Sequence, residues 1–228
     1  MKPLPKAVIF DLDNTLYPYS PCDSAGRKAV YNYLYDFYTI PFESYSALYI
    51  ECDKAVKKAN PLTAAGHNRI LFYHRMCELL NLQSDTHAIP MYNAYWNAYL
   101  DKMEIFPGAL NLLKRLKSNG ISLGLCSDLT LHIQLRKIQK LGLQGVFDKI
   151  TVSEEVGADK PSPLMFLSIL QKLSVSPSEA IMVGDNDSRD IEGALNIGME
   201  GVLFGEIRNG RRCAQNFTEL AALLLGES

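Results

Sequence analysis

The chain has 228 residues, 47% of them apolar, enough to bury one large core or two moderate ones. Its 23 basic and 25 acidic residues are interspersed and leave a formal net charge of -2, so no long-range field draws in polyanions and a nucleic-acid polymer is excluded as the main partner. The opening MKPLPKAVIFDLD is a short apolar run ending in carboxylates, neither a signal peptide nor a membrane span, and the expectation is a cytoplasmic protein without a membrane partner.

The first apolar run, Ala7 to Asp11, is dense enough to be a strand buried on both faces, and it runs straight into Asp11-Leu12-Asp13-Asn14-Thr15. From about Asp23 to Asp101 no strand is expected. Helical segments punctuated by Pro41, Asn60-Pro61 and Pro90 are expected instead, with most of the tyrosines and the single Trp96 to pack them.

From residue 105 onward apolar runs alternate with amphipathic stretches, as βαβ units around a parallel sheet require. The expected strands are Ile121 to Ser127, Lys149 to Ser153, Ala180 to Asp185 and Gly201 to Phe204. Leu110, Leu113 and Leu116 form a helical stripe that stops at Gly120, and Leu131, Ile133, Ile138 and Leu141 form another that stops at Gly142. Pro163 to Leu173, Ser188 to Ile197 and Phe217 to Leu225 are the remaining helices. Cys22, Cys52, Cys77, Cys126 and Cys213 are scattered without metal-ligand spacing, so reduced and mostly buried thiols are expected.

Two carboxylates one residue apart at a strand tip need an explanation. Ligands of open α/β sheets bind beyond the carboxyl ends of the strands, and the period of two points Asp11 and Asp13 to roughly the same side. Taken alone, the pair reads equally well as a turn, Ser127 as a helix cap and Lys160 as a solvated loop residue. Their order decides otherwise. Ser127 ends the second strand, Lys160 stands in GADKPSP before a helix, and Gly184-Asp185-Asn186-Asp187-Ser188-Arg189-Asp190 follows the fourth strand.

With these four motifs the sequence resembles the haloacid dehalogenase-like phosphatase superfamily, over essentially the whole chain. The resemblance implies an α/β fold, a Rossmann-like parallel sheet of strand order 3-2-1-4-5 flanked by helices, with an inserted all-helical cap domain. The core would comprise residues 1–17 and 106–228 and the cap 18–105, joined through Pro-containing segments near Tyr17 to Cys22 and Ile105 to Gly108. The DLDNTLYP opening resembles the nucleoside monophosphate phosphatase branch in particular.

The resemblance also implies roles. Asp11 is the nucleophile, forming an aspartyl-phosphate that water then cleaves, and Asp13 donates and accepts the proton. A phosphate monoester repels an anionic nucleophile unless a cation neutralises it, so Mg2+ is the expected cofactor, held by Asp11, Asp185 and the backbone carbonyl of Asp13. Ser127 and Lys160 bind the phosphate, and Asp190 is an outer-shell partner that holds a metal-bound water or orients Lys160.

Asp128 stands where many relatives have an amide; it is expected to cap a helix beginning near Leu129 rather than touch phosphate, and Asp187 to cap the helix after it. His67, Asn68 and Arg69, at what reads as a helix start in the cap, are candidate substrate contacts, with an ordinary solvated helix face as the competing reading. Tyr17 and Tyr19 either line the cleft or pack against the cap.

The expected activity is magnesium-dependent hydrolysis of a small phosphomonoester, a nucleoside monophosphate or a sugar phosphate, by a monomer or homodimer. A phosphomutase would share every motif, and a non-enzymatic phospho-ligand-binding protein is the alternative from another class. A dehalogenase attacks carbon and has no use for Asp13.

Overall fold

A computed structural model describes residues 4–226. The chain divides into two compact units, one of residues 1–18 and 104–228, the other of residues 19–103.

The first unit is built on a parallel sheet. Its strands are β1 (Ala7–Phe10), β2 (Ser122–Ser127), β3 (Lys149–Val152), β4 (Ala180–Gly184), β5 (Glu200–Phe204) and β6 (Cys213–Ala214), in the order β3-β2-β1-β4-β5-β6. The five expected strands and their order are present. The two-residue β6, too short to show a period in sequence, extends the sheet beyond β5.

β1 lies in the middle, with Val8 opposite both Leu123 of β2 and Ile181 of β4. All four of its side chains are fully buried, which is why the run is uniformly apolar rather than alternating. On one face Ala7, Ile9, Cys126 and Met182 pack against Met165, Phe166, Ile169 and Leu170, from the helix Pro163–Leu173. The helix Ala109–Ser118 packs on β2, and the helix Phe217–Leu225 packs on Ala109–Ser118 in turn. Gly120 and Gly142 take the left-handed φ values, +74° and +68°, that their helix ends require.

The segment after β4 differs from expectation. In place of one helix from Ser188, a single π-type turn spans Asp187–Ile191 and a short α-helix follows over Glu192–Leu195. The N–H groups of both Asp190 and Ile191 reach the Asn186 carbonyl, at 2.8 and 3.4 Å. The widened turn leaves Asp190 facing inward, 1% exposed.

The second unit is all-helical. Tyr19–Tyr35, Phe42–Ala59, Arg69–Leu80 and Ser84–Lys102 are its α-helices, with the first and third packed on the last. Pro41 and Asn60 bound the second helix as expected. Pro90 does not break the chain but lies inside Ser84–Lys102. The missing hydrogen bond and ring clash cost about 3 kcal/mol, and burial of Met91, Tyr95, Trp96 and Tyr99 on the same helix, each contributing roughly 2 kcal/mol, offsets it. Tyr95 packs so closely on Gly26 that a Cβ there would overlap its ring. No helix among the described residues is long and apolar enough to cross a membrane. All five cysteines are free thiols, four of them buried.

Candidate active site

Strand order reverses at β1, with β2 and β3 on one side and β4, β5 and β6 on the other. The carboxyl ends of the three central strands carry Asp11, Ser127 and Asp185, so residues far apart in sequence meet at the crevice such a reversal creates. The Asp11 N–H continues the ladder by donating to the Val183 carbonyl at 2.9 Å.

Lys160 is at the centre, 2% exposed. Its Nζ donates to Asp11 Oδ1 at 2.5 Å and to the Cys126 carbonyl at 3.0 Å, and lies 2.7 Å from Asp190 Oδ1 as an ion pair outside hydrogen-bond alignment. Asp190 Oδ2 accepts from the Asn186 N–H at 3.0 Å. Gly184 makes this packing possible, because a Cβ there would collide with the Asp190 carboxylate.

Asp11, Asp185 and Asp190 each bring one carboxylate oxygen within 4.8 Å of the others. Three carboxylates face one ammonium, and the surplus negative charge shows in their protonation. Burial raises Asp11 well above the ordinary carboxylate range; Lys160 opposes this, and Asp190, Asp13 and Asp185 reinforce it. Asp185 is pushed up to about 6, by burial and then by Asp190, against Lys160 and a hydrogen bond from Asn14. Lys160 itself is raised well above the ordinary lysine value, because Asp11 and Asp190 outweigh the burial that opposes its charge.

An all-oxygen donor set with excess negative charge fits a hard divalent cation such as Mg2+, which needs only one or two protein carboxylates. Asp11 and Asp185 are the residues that would hold it, with Asp190 committed to Lys160 and the Asn186 N–H.

Asp13 is held from two sides. Lys137 Nζ donates to Oδ1 at 2.7 Å and to Oδ2 at 2.8 Å, and Tyr17 donates its hydroxyl proton to Oδ1 at 2.6 Å. Tyr17 is fully buried, whereas Tyr19 belongs to the helical unit and donates to Asp23 at 3.2 Å. Ser127, 2% exposed, accepts from Gln134 Nε2 at 2.7 Å, and the same nitrogen donates to the Asp128 carbonyl at 2.7 Å.

Asp128 does not cap a helix. The helix begins at Leu131, whose N–H donates to Glu154, and the Leu129 N–H is taken by Ser153. The Asp128 carboxylate instead accepts from the Lys160 N–H at 2.9 Å and pairs with Arg189 at 2.9 Å. Arg189 Nε donates in turn to the Lys160 carbonyl at 3.1 Å, so both sides of the Lys160 backbone are pinned. Asp187 is not a cap either. Asn186 takes that role, accepting from the Arg189 N–H at 3.0 Å, while Asp187 pairs with Arg208 and Arg211.

The candidate contacts of the helical unit have internal partners. Asn68 caps the helix that starts at Arg69, accepting from the Ile70 N–H at 3.2 Å. Arg69, 8% exposed, donates to Tyr19 Oη at 2.9 Å and to the His67 carbonyl at 3.2 Å, and lies 3.7 Å from Asp23. It is therefore not part of a solvated face. Asp11, Asp13, Ser127, Lys160, Asp185 and Asp190 gather at the carboxyl end of the central strands, whereas His67, Asn68 and Arg69 belong to the helical unit.

Fold and site together define a hydrolase of the α/β class with a carboxylate-lined crevice. Residues 5–198 match the family model of the haloacid dehalogenase-like hydrolases, and the chain belongs to that family. It is 40% identical over 200 residues to a ribulose-1,5-bisphosphate 5-phosphatase from Halopiger xanaduensis, covering 87% of this chain and 84% of that one. It is 32% identical over 201 residues to a glyceraldehyde 3-phosphate phosphatase from Pyrococcus furiosus, covering 87% and 80%. Among solved structures, a HAD phosphatase from Thermococcus onnurineus superposes with a TM-score of 0.78 at 27% identity, covering 97% of this chain and 99% of that one. The chain is an enzyme of the phosphatase type within its family.

Proposed function

We propose that the protein hydrolyses a small phosphorylated sugar through an aspartyl-phosphate on Asp11, with Mg2+ as cofactor. The observation that carries this reading is the buried Asp11 carboxylate at the strand tip, with one oxygen held by Lys160 and an acidic cluster beside it. When bound, the cation neutralises charge on the phosphoryl oxygens.

The free oxygen of Asp11 attacks phosphorus, and the ester P–O bond breaks as the leaving oxygen takes a proton from Asp13. Ser127 and Lys160 offer donors to the phosphoryl oxygens. Water then attacks phosphorus and gives a proton back to Asp13, and the bond to Asp11 breaks. The helical unit, inserted between β1 and β2, is proposed as the specificity-determining cap.

Sugar phosphates are favoured because the relatives from Halopiger xanaduensis and Pyrococcus furiosus carry the names of sugar-phosphate phosphatases. A panel of ketose, aldose and triose phosphates, nucleoside monophosphates and phospho-amino acids, with and without Mg2+, tests substrate and metal together. Phosphate release from the sugar phosphates, dependent on Mg2+, is expected. Preference for nucleoside monophosphates would replace the substrate assignment, and phosphate transfer to a second sugar position would make the enzyme a mutase. Asp11→Asn is expected to fold and to form no phosphoenzyme; full activity in that variant would remove Asp11 as nucleophile.

A further inference from the structure

Lys137 has no place in the four motifs, yet it is fully buried and its ammonium ends on Asp13. It sits on the helix Leu131–Lys140, one turn beyond Gln134, on the face buried by Ile133 and Ile138. A lysine at such a position is costly unless its charge is met, and Asp13 meets it.

The two Nζ contacts engage both oxygens of Asp13, and the Tyr17 hydroxyl adds a third bond. Three bonds on two oxygens fix the plane of the carboxylate as well as its position. The Asp13 side chain nevertheless remains about 30% exposed, so its held orientation still faces open space.

We propose that Lys137 is a positioning residue: with Tyr17 it locks the Asp13 carboxylate in the orientation that serves proton transfer to the leaving oxygen and from the attacking water. The inference rests on the assignment of Asp13 as proton donor and acceptor. Proton transfer depends steeply on the placement of the group that performs it, and a carboxylate free to rotate spends little time aligned.

The test compares wild type, Lys137→Met, Lys137→Arg and Tyr17→Phe by rapid-quench and steady-state kinetics. The substrates are p-nitrophenyl phosphate, whose leaving group needs no proton, and an alkyl phosphate, whose leaving group does. With p-nitrophenyl phosphate, Lys137→Met should keep phosphoenzyme formation within about threefold while its hydrolysis slows roughly 10- to 100-fold, so that the phosphoenzyme accumulates. With the alkyl phosphate, formation should slow by a similar factor. Inhibition by inorganic phosphate should stay near wild type, Lys137→Arg should recover part of the loss, and Tyr17→Phe should show the same pattern more weakly.

Unchanged hydrolysis in Lys137→Met, or an equal loss for both leaving groups together with weakened phosphate inhibition, overturns the inference. Should Lys137→Met fail to fold, wild-type kinetics in Tyr17→Phe overturns it and the weaker selective pattern supports it. A wild type that forms no phosphoenzyme on Asp11 overturns the proposed mechanism and this inference with it, whereas a trapped wild-type phosphoenzyme with indifferent variants overturns this inference alone.

Discussion

Gln134 and Ser127 share a hydrogen bond whose direction is fixed by a third group. The Asp128 carbonyl can only accept, so the Gln134 atom facing it is Nε2, and that same nitrogen reaches Ser127 Oγ at 2.7 Å. Both amide protons are then used, and the Ser127 hydroxyl proton must turn elsewhere. The serine is thereby set as a donor.

Replacing Gln134 by Leu removes that constraint. The inhibition constant for inorganic phosphate should rise by about three- to tenfold, the net worth of one oriented hydrogen bond, while the overall fold persists. Gln134→Glu should fare worse, because a carboxylate would face the Asp128 carbonyl. Product-inhibition measurements on both variants decide the matter, and unchanged phosphate inhibition in both would exclude Gln134 from this role.

Among the described residues, Lys160 is the ammonium that pairs with both the buried Asp11 and the buried Asp190. Lys160→Met is expected to lower phosphate release by at least about 10²-fold, as loss of a buried charge complementary to the transition state does. It should also destabilise the fold by roughly 3 kcal/mol, because two buried carboxylates lose their partner. Urea unfolding beside a phosphate-release assay tests both; a fully active variant would exclude Lys160 from the active site.

Gly184→Ala adds a single methyl group, yet it lands on the Asp190 carboxylate. Asp190 must move, and Lys160 loses its second ion pair. A stability cost of about 1–3 kcal/mol is expected, and activity should fall more than Asp190→Asn alone would lower it, since the methyl group also crowds the strand tip. Near-wild-type values for Gly184→Ala in both measurements would show that Asp190 has room the structure denies it.

Asp185 is raised from 3.8 to about 6 in the metal-free protein, with burial as the chief cause. Between those values the folded state keeps a proton that the unfolded chain has lost, so stability falls as pH rises through that window. The effect is on the order of 2 kcal/mol once partial exposure is allowed for. Urea unfolding in a chelator should show a slope from pH 4 to 6 that Asp185→Asn flattens. Because Mg2+ competes with the same proton, its apparent affinity should drop as pH falls below about 6. An identical slope in wild type and variant would count against the shift.

The core of the fold was legible because β1 and its neighbours are buried on both faces and therefore read as unbroken apolar runs. Asp11, Ser127 and Asp185 were legible for the related reason that strand tips are where such runs stop, Asp13 by its spacing from Asp11, and Lys160 only by its order between Ser127 and Asp185. The residues that hold them in place left a fainter trace. Gln134 and Lys137 interrupt the buried stripe of Ile133 and Ile138, and a polar pair on an apolar helix face was the available signal.

Asp128 and Asp187 misled because capping is a local rule, while their partners, Arg189 and Arg211, come from distant segments. Pro90 misled because tertiary packing outweighed a local propensity. The contact between Gly184 and Asp190 has no sequence signature, since it depends on the width of the turn between them.

The central place of β1 also bears on how the molecule is made. This strand leaves the ribosome well before its two sheet neighbours, which begin only at Ser122 and Ala180, with a whole helical unit synthesised before either. Until they arrive, an apolar segment with two open edges has nothing to pair with, and the loop that must close around it is long. Folding is therefore expected to be slow and prone to aggregation while the chain is incomplete, and to be completed only when β4 is in place. A stop codon between Met103 and Ser122 would leave a helical unit attached to an exposed, sticky strand.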